Sequence, residues 1–220
     1  MDLEKNFEVL IHEIKNSVQG IVLNAEILDR FLKKNDSVGK RTMGLSKRLK
    51  DQSHNLYKLV VNSGFLFDNE LRLESFDFHN LIRDVLEETR YIGDRDRIKI
   101  KTEYDLKLTE VKQDRERLKV ILKNIVKNGL EESPPGDNLV IRTRSEGEYM
   151  VVEISNHGDM IPKEKLKTIF EAHYSTKEEG FGLGLAIAKH LVELLKGEIH
   201  VDSEPSETTF TVKIPKELKG

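Results

Sequence analysis

Residues 114–130, DRERLKVILKNIVKNGL, decide how the second half of this chain is organised. At about 3.6 residues per turn, the apolar residues of this stretch fall on one helical face. That face consists of Leu118, Ile121, Leu122, Ile125 and Gly129. Asn124, Lys127 and Asn128 lie beside it. Amides at the margin of a core face can point into a cavity, although a surface helix with ordinary polar flanks has the same spacing.

A glycine-rich segment, GFGLG at residues 180–184, leads directly into an amphipathic run at residues 185–195. Glycines let backbone N–H groups approach a phosphate, and the N-terminus of a following helix adds partial positive charge. The segment therefore suits polyphosphate binding. It is not a P-loop, because no Gly-Lys-Ser/Thr follows, and Leu185 stands where a Rossmann fingerprint needs its third glycine.

Two further motifs lie between these stretches: a predicted strand that ends in Asn156-His-Gly158, and a segment around Phe170. In chain order, the asparagine helix, the Asn156 turn, the Phe170 segment and the glycine-rich segment resemble the N, G1, F and G2 boxes of bacterial sensor histidine kinases. The sequence HEIKN at residues 12–16 resembles the phosphoacceptor box of the same family. The resemblance therefore extends over almost the whole chain.

Length and composition allow two small domains, because the chain has 220 residues and 37% hydrophobic content. The absence of cysteine excludes disulfides and thiolate chemistry and fits a reducing cytoplasm. No apolar run reaches the roughly 18 residues of a membrane span, and the first residues do not resemble a signal peptide. We therefore expect a cytoplasmic protein. A net charge of −3 without a basic stripe argues against nucleic-acid binding.

Heptad spacing predicts an α-helical hairpin within residues 1–70. The seam of its first helix is Phe7, Ile11, Ile14, Val18, Ile21, Ala25, Leu28 and Leu32. Residues 33–40 read as a turn, and a second heptad seam runs from Leu45 to Leu66. In a lone hairpin, one side of each helix stays exposed to solvent. We therefore expect a homodimer that forms a four-helix bundle, as in the family that this chain resembles.

The second domain is predicted over residues 71–220, where the heptads end. A helix is expected from about residue 79 to 89, and alternating segments predict about five strands. Those strands are at residues 97–105, 139–144, 149–155, 198–202 and 208–214. Strands in hairpins with helices grouped between them predict an α+β sandwich, with helices over one face of a mostly antiparallel sheet. The resemblance implies the Bergerat-type ATP-binding fold.

The resemblance also implies ATP and Mg²⁺ as cofactors. Asn128 would give its side-chain oxygen to Mg²⁺, which prefers oxygen ligands and keeps several waters. Asn124 would hydrogen-bond near the γ-phosphate, and Lys127 either neutralises phosphate charge or is an ordinary solvated lysine. Residues 172–181 resemble the lid over the triphosphate. The remaining ATP-binding residues implied by the motifs are Phe170, Lys177, Gly180, Gly182, Leu183 and Gly184.

The adenine-binding box departs from the family pattern. Where the family has an aspartate that accepts a hydrogen bond from the adenine amino group, this chain has Asn156. An amide oxygen still accepts, but without charge, so we expect adenine recognition to persist and to weaken. Gly158 matches the first glycine of the box, and Met160 replaces the second.

His12, Glu13 and Asn16 lie off the heptad seam, so they are expected on an exposed strip of the first helix. An exposed histidine is usually only a surface residue, but the resemblance implies that His12 attacks the γ-phosphoryl group. Glu13 would accept a hydrogen bond from the other ring nitrogen. An aspartate of a separate response-regulator receiver domain would then take the phosphoryl group, and Asn16 would position water for the reverse hydrolysis. The sensor domain or sensory partner is expected outside this chain.

The sequence is also compatible with two alternatives. In the first, the chain is a phosphotransfer or scaffold protein whose nucleotide domain no longer catalyses phosphorylation from ATP, as the departures at Asn156 and Met160 would allow. In the second, it is a gyrase-like ATPase that acts on another substrate. The second alternative leaves the heptad hairpin around His12 unexplained.

Overall fold

The chain divides into two compact units, Met1–Asn69 and Glu70–Gly220. The computed structural model describes residues 18, 20–28, 30, 32 and 49 of the first unit. In the second unit it describes residues 70–108, 110–171, 174 and 184–218. His12, Glu13, Asn16, Lys177, Gly180, Gly182 and Leu183 lie outside the described residues.

In the first unit, residues 20–28 are helical. Val18 and Ala25 occupy seam positions seven residues apart and are 4% and 2% exposed. Ile21 and Leu28 occupy the alternate seam positions and are 47% and 41% exposed. The seam is therefore covered on one side only within this chain. The predicted turn at residues 33–40 and the second helix, apart from Leu49, lie outside the described residues.

The second unit contains, in its described part, seven strands and three helices. Strand β1 (Leu73–Asp77) is followed by helix α1 (Phe78–Asp96), β2 (Lys99–Glu103) and β3 (Glu110–Asp114). Helix α2 (Arg115–Glu132) leads to β4 (Asn138–Glu146) and β5 (Tyr149–Asn156). Two 3₁₀ turns, Lys163–Lys165 and Thr168–Phe170, precede helix α3 (Gly184–Leu194), β6 (Glu198–Glu204) and β7 (Glu207–Pro215).

Five strands form the main sheet in the order β2-β4-β5-β7-β6. The pair β2–β4 is parallel, and the other neighbours are antiparallel. Helix α2 contacts both α1 and α3 and packs on one face of this sheet. Its apolar residues Leu118, Ile121 and Leu122 line one small internal space together with sheet residues such as Met150, Val152 and Val212. The predicted α+β sandwich is thereby confirmed.

The strand count was wrong, because β1 and β3 were not expected as strands. These two short, polar segments, LESFD and EVKQD, pair with each other in a separate antiparallel sheet. Neither has the apolar alternation that marks a strand of a large core. Each ends in an aspartate that caps the next helix: Asp77 accepts from the backbone N–H of Asn80, and Asp114 from that of Arg117.

The first helix of this unit is longer than predicted, since α1 continues to Asp96 and ends at Arg97 in the left-handed conformation. Gly93 lies inside the helix and does not end it. A Cβ on Gly93 would lie 3.5 Å from Leu130 Cδ2 and 3.6 Å from the carbonyl oxygen of Ile98. Of the described helices, none is long and apolar enough to cross a membrane.

Candidate nucleotide site

One end of the candidate site is formed where α2 meets the start of α3. Asn124 is half-buried on α2, and its Nδ2 donates to the carbonyl oxygen of Val120 at 3.0 Å. Its Oδ1 lies only 3.1 Å from the position that a Cβ on Gly184 would occupy. Gly184 is the first residue of α3. The N–H groups and partial positive charge of that helix terminus therefore begin beside Asn124, an arrangement suited to phosphate.

The next turn of α2 carries Lys127 and Asn128. The Lys127 ammonium lies 3.5 Å from Glu131 Oε1, and its side chain is 48% exposed. Asn128 is half-buried, and its side chain forms no hydrogen bond with the described residues. That amide oxygen is available as a metal ligand. Across the described ranges, no cluster of three His, Asp or Glu side chains forms a metal site, so Mg²⁺ here would depend on phosphate oxygens and water.

The other end of the site is the slot that holds the Asn156 amide, at the end of β5. Asn156 is 3% exposed, and within the described ranges its side chain makes no hydrogen bond. Two glycines flank the amide. The Cβ position of Gly129 lies 3.8 Å from its Oδ1, and that of Gly158 lies 3.0 Å from its Nδ2. The amide is therefore available to hydrogen-bond a ligand.

The loop after Asn156 is held tightly against α2. A Cβ on Gly158 would lie 2.7 Å from the backbone oxygen of Glu132, so only glycine fits this approach. Further along the loop, the N–H of Ile161 donates to Ser203 Oγ at 2.8 Å. Ser203 Oγ in turn lies 2.7 Å from Thr208 Oγ1. The last turn of α2 and the β6–β7 hairpin therefore fix the loop from two sides.

A histidine–aspartate pair also holds this loop, and no sequence motif indicates it. His157 Nδ1 lies 3.0 Å from Asp137 Oδ1, which also accepts from the backbone N–H of Asn138 at 2.7 Å. The hydrogen bond from His157 holds the pKa of the Asp137 carboxyl below its ordinary value. Periodicity could not have indicated this pair, or Ser203 and Thr208, because the contacts depend on how separate strands meet.

Phe170 contacts both α3 and the sheet. Its ring packs edge-to-face on Phe210, with centroids 6.3 Å apart. The Lys189 ammonium lies 6.0 Å from the centre of the Phe170 ring. These contacts anchor the segment that precedes residues 172–181, and Lys189 is a cation that the sequence motifs do not include.

The described site residues are thus arranged along α2. Asn124 and Gly184 stand at one end, Asn128 lies one turn further, and Asn156 and Gly158 stand near the C-terminus of the helix. From Asn124 to Glu132 the helix rises about 12 Å, at about 1.5 Å per residue. A row of three amides of that length, bordered by glycines and a helix N-terminus, can hold an extended nucleotide with its base at Asn156 and its phosphates at Gly184.

Comparison with known proteins defines the class of this domain. Residues 113–218 match the family described as histidine kinase-, DNA gyrase B-, and HSP90-like ATPase. The matched region contains α2, the asparagines and the glycine-rich segment. The second unit is therefore an ATP-binding domain with the α+β fold of that class.

Relatives narrow the class further. Sensory histidine kinase/phosphatase NtrB of Azospirillum brasilense is 31% identical over 225 residues, covering 94% of this chain and 54% of NtrB. The catalytic domain of histidine kinase ThkA has a TM-score of 0.62 at 28% identity, covering 66% of this chain and 97% of that domain. ThkA in complex with response regulator protein TrrA has a TM-score of 0.66 at 21% identity, covering 97% of this chain and 64% of the ThkA chain. The last likeness concerns the fold alone.

These comparisons show that the chain belongs to the sensor histidine kinase family, over the part of those proteins that forms the catalytic core. It spans about half the length of the NtrB relative, at 54%.

Proposed function

We propose that this chain is an ATP-dependent protein histidine kinase that phosphorylates its own His12 and passes the phosphoryl group to an aspartate of a response regulator. The observation that carries the proposal is the position of Asn156, which is 3% exposed and hydrogen-bonds no described residue, at the opposite end of α2 from the Asn124–Gly184 contact. At one end of the site, Asn156 can hydrogen-bond a base. At the other end, the N-terminus of α3 can bind phosphates. Relationship to sensor histidine kinases supports the same activity.

In the proposed complex, Asn156 pairs with the purine and Asn124 approaches the γ-phosphate. Asn128 supplies an oxygen to Mg²⁺, which would neutralise phosphate charge when bound. Lys127 and Lys177 add positive charge. Residues 180–184 and Phe170 border the triphosphate, as the resemblance implies.

The chemical step takes place on the N-terminal unit. A neutral ring nitrogen of His12 forms a bond to the γ-phosphorus while the bond to the β–γ bridging oxygen breaks, and ADP leaves with those electrons. Glu13 accepts a hydrogen bond from the other ring nitrogen, which fixes the tautomer and stabilises the positive charge that develops. Asn16 positions water for hydrolysis of the phosphorylated regulator, which gives the chain a phosphatase activity.

A homodimer would complete the N-terminal unit. Ile21 and Leu28 lie on the heptad seam, yet 47% and 41% of their surface is exposed. Val18 and Ala25, on the same seam, are buried. A second copy that covers the exposed pair would form the four-helix bundle.

A response regulator would dock on the strip that continues from His12. Leu23 follows His12, and Ile27 follows Asn16, by about three helical turns each, so they share one side of the predicted helix. Both are apolar, and 57% and 55% of their surface is exposed. ThkA forms a complex with a response regulator, and this chain shares its fold. A receiver domain is therefore the proposed partner at this strip.

The deciding experiment is incubation of the protein with Mg²⁺ and γ-labelled ATP. An acid-labile, base-stable label is expected on the wild-type protein, and none is expected on His12→Gln. ADP binding by His12→Gln should equal that of the wild type, because acceptor and nucleotide site belong to different units. Full labelling of His12→Gln would show that another residue is the phosphoacceptor. An unlabelled wild type would contradict kinase activity.

The neutral amide at Asn156 favours a second candidate, a phosphotransfer protein whose nucleotide domain is inactive. In that case His12 would accept phosphate from a phosphorylated regulator, while Mg·ATP would give no label. Titration of ADP by calorimetry separates the two candidates, since only the kinase requires nucleotide binding.

A further inference from the structure

Nothing in the described part of the chain fixes the orientation of the Asn156 amide. Asn156 is 3% exposed, and its side chain makes no hydrogen bond to any described residue. Its flanking neighbours, Gly129 and Gly158, have no side chains that would hold it. Rotation of an amide by half a turn exchanges oxygen for nitrogen in nearly the same volume. Asn156 can therefore present either an acceptor or a donor to a ligand.

The strand neighbour of Asn156 has the same property. Thr208 stands opposite Asn156 in the β5–β7 ladder, so both side chains project from one face of the sheet. The Thr208 hydroxyl lies 2.7 Å from Ser203 Oγ, and either atom can be the donor. A hydroxyl both donates and accepts. Asn156 and Thr208 therefore carry neither a charge nor a fixed polarity.

Purines differ in what they offer at position 6. A 6-aminopurine such as adenine presents N–H donors there, whereas a 6-oxopurine presents a carbonyl acceptor. A carboxylate at this position would pair with the amino group and repel the carbonyl, because it only accepts. An amide pairs with either group after a half-turn.

We propose that Asn156 makes the site permissive at position 6, so that the chain binds 6-oxopurine nucleotides as well as adenine nucleotides. The inference rests on the proposed function, because it requires the purine to lie at Asn156. If the inference holds, nucleoside triphosphates with a 6-oxopurine base would serve as phosphoryl donors alongside ATP.

The test compares ADP with inosine diphosphate by calorimetry on the whole chain. Inosine carries the 6-oxo group without the 2-amino group of guanine, so it differs from adenosine only at position 6 and in the proton that N1 carries. For the wild-type protein, the two dissociation constants should agree within about tenfold, because each base finds a partner of the right polarity.

Asn156→Asp should separate the two ligands. It should keep or tighten ADP binding and weaken inosine diphosphate relative to ADP by roughly a hundredfold, because two acceptors would then face each other. Asn80→Asp is the matched control. It makes the same change in the exposed first turn of α1, where Asn80 accepts a hydrogen bond from Arg83, and should leave both constants unchanged.

The outcomes separate this inference from the proposed function. If wild-type protein binds ADP but binds inosine diphosphate more than about a hundredfold more weakly, the inference is overturned and the nucleotide site stands. If it binds neither, the proposed function itself fails. If Asn156→Asp melts like the wild type and does not discriminate between the ligands, selection at position 6 does not reside in Asn156, and the inference is again overturned.

Discussion

Asn124 on α2 and Gly184 at the start of α3 meet so closely that a Cβ on Gly184 would lie 3.1 Å from Asn124 Oδ1. This contact sets the distance between the asparagine helix and the helix terminus that is proposed to face the phosphates. A methyl group at residue 184 would push against the amide, and the amide is already held by its hydrogen bond to Val120. A methyl group added at residue 184 is therefore expected to change nucleotide affinity by displacing the Asn124 amide.

For Gly184→Ala we expect ADP affinity to fall about tenfold, because the added Cβ displaces the Asn124 amide. Thermal stability should stay level or rise slightly, since alanine favours a helix by up to about 1 kcal/mol over glycine. Calorimetric ADP titration and a thermal melt measure the two effects separately. Gly20→Ala is the control, because a Cβ there meets nothing within 4 Å. Unchanged ADP affinity in Gly184→Ala would show that this contact does not shape the site.

Gly158→Ala should damage both the loop and the fold. Its Cβ would lie 2.7 Å from the backbone oxygen of Glu132, and a backbone atom cannot rotate away. We expect the free energy of unfolding to drop by about 1–3 kcal/mol and ADP affinity to fall with it. Denaturant unfolding measures the loss. Gly93→Ala is the matched control inside α1, where the nearest atoms are at ordinary contact distance, 3.5 and 3.6 Å. Equal stability of the two variants would argue against the tight approach at Gly158.

Arg117 and Asp114 form an ion pair in which only 2% and 5% of the side chains are exposed. Arg117 Nη1 also donates to the backbone oxygen of Glu70 at 2.9 Å, and Asp114 Oδ2 accepts from the N–H of Arg72 at 3.0 Å. The pair thus attaches the first residues of the second unit to the N-terminus of α2. Arg117→Ala leaves a buried carboxylate uncompensated and should cost about 3–5 kcal/mol of unfolding free energy.

The neighbouring Arg115 provides the control for that measurement. It pairs with Asp84, but these side chains are 28% and 48% exposed, so Arg115→Ala should cost about 1 kcal/mol or less. Chemical denaturation of both variants gives the comparison. Similar losses for the two arginines would contradict the role assigned to the buried pair.

His79 should make the second unit less stable in mild acid. It is 6% exposed, it stacks on Tyr104 with ring centroids 4.4 Å apart, and its Nε2 lies 3.2 Å from Thr143 Oγ1. Burial lowers the His79 pKa below its ordinary value of 6.5, although the carboxylates of Asp77 and Asp105 oppose that effect. The unfolded chain therefore binds the proton more readily, and stability falls as pH drops below about 6.5, until the folded-state pKa is passed.

The measurement is unfolding free energy between about pH 8 and pH 5 for wild type and His79→Gln, a range chosen around the ordinary histidine value. Glutamine can keep a hydrogen bond to Thr143 and does not titrate. The wild type should lose stability relative to His79→Gln as the pH decreases. Parallel pH profiles would exclude His79 as the titrating group.

Local patterns in the sequence predicted much of this protein. The apolar period of residues 114–130 predicted α2 and the face it buries, and Asp114 caps that helix. Alternation predicted the five strands of the main sheet within a few residues, because one face of each strand packs on the helices. The resemblance to sensor histidine kinases is confirmed by the relatives. The roles of His12, Glu13, Asn16, Lys177 and residues 180–183 stay predictions, since these residues lie outside the described part.

Only the tertiary structure decided which of these elements meet. Side-chain period reports whether a residue faces a core, but it carries no information about which distant residue lies opposite. The contact of Gly184 with Asn124, the close approach of Gly158 to Glu132, and the His157–Asp137 pair all follow from strand order and helix packing. The β1–β3 pair stayed hidden for the same reason, since polar strands without alternation become visible only through their partner. The sequence thus determined the parts and their chemistry, whereas packing over long chain separations decided the shape of the site.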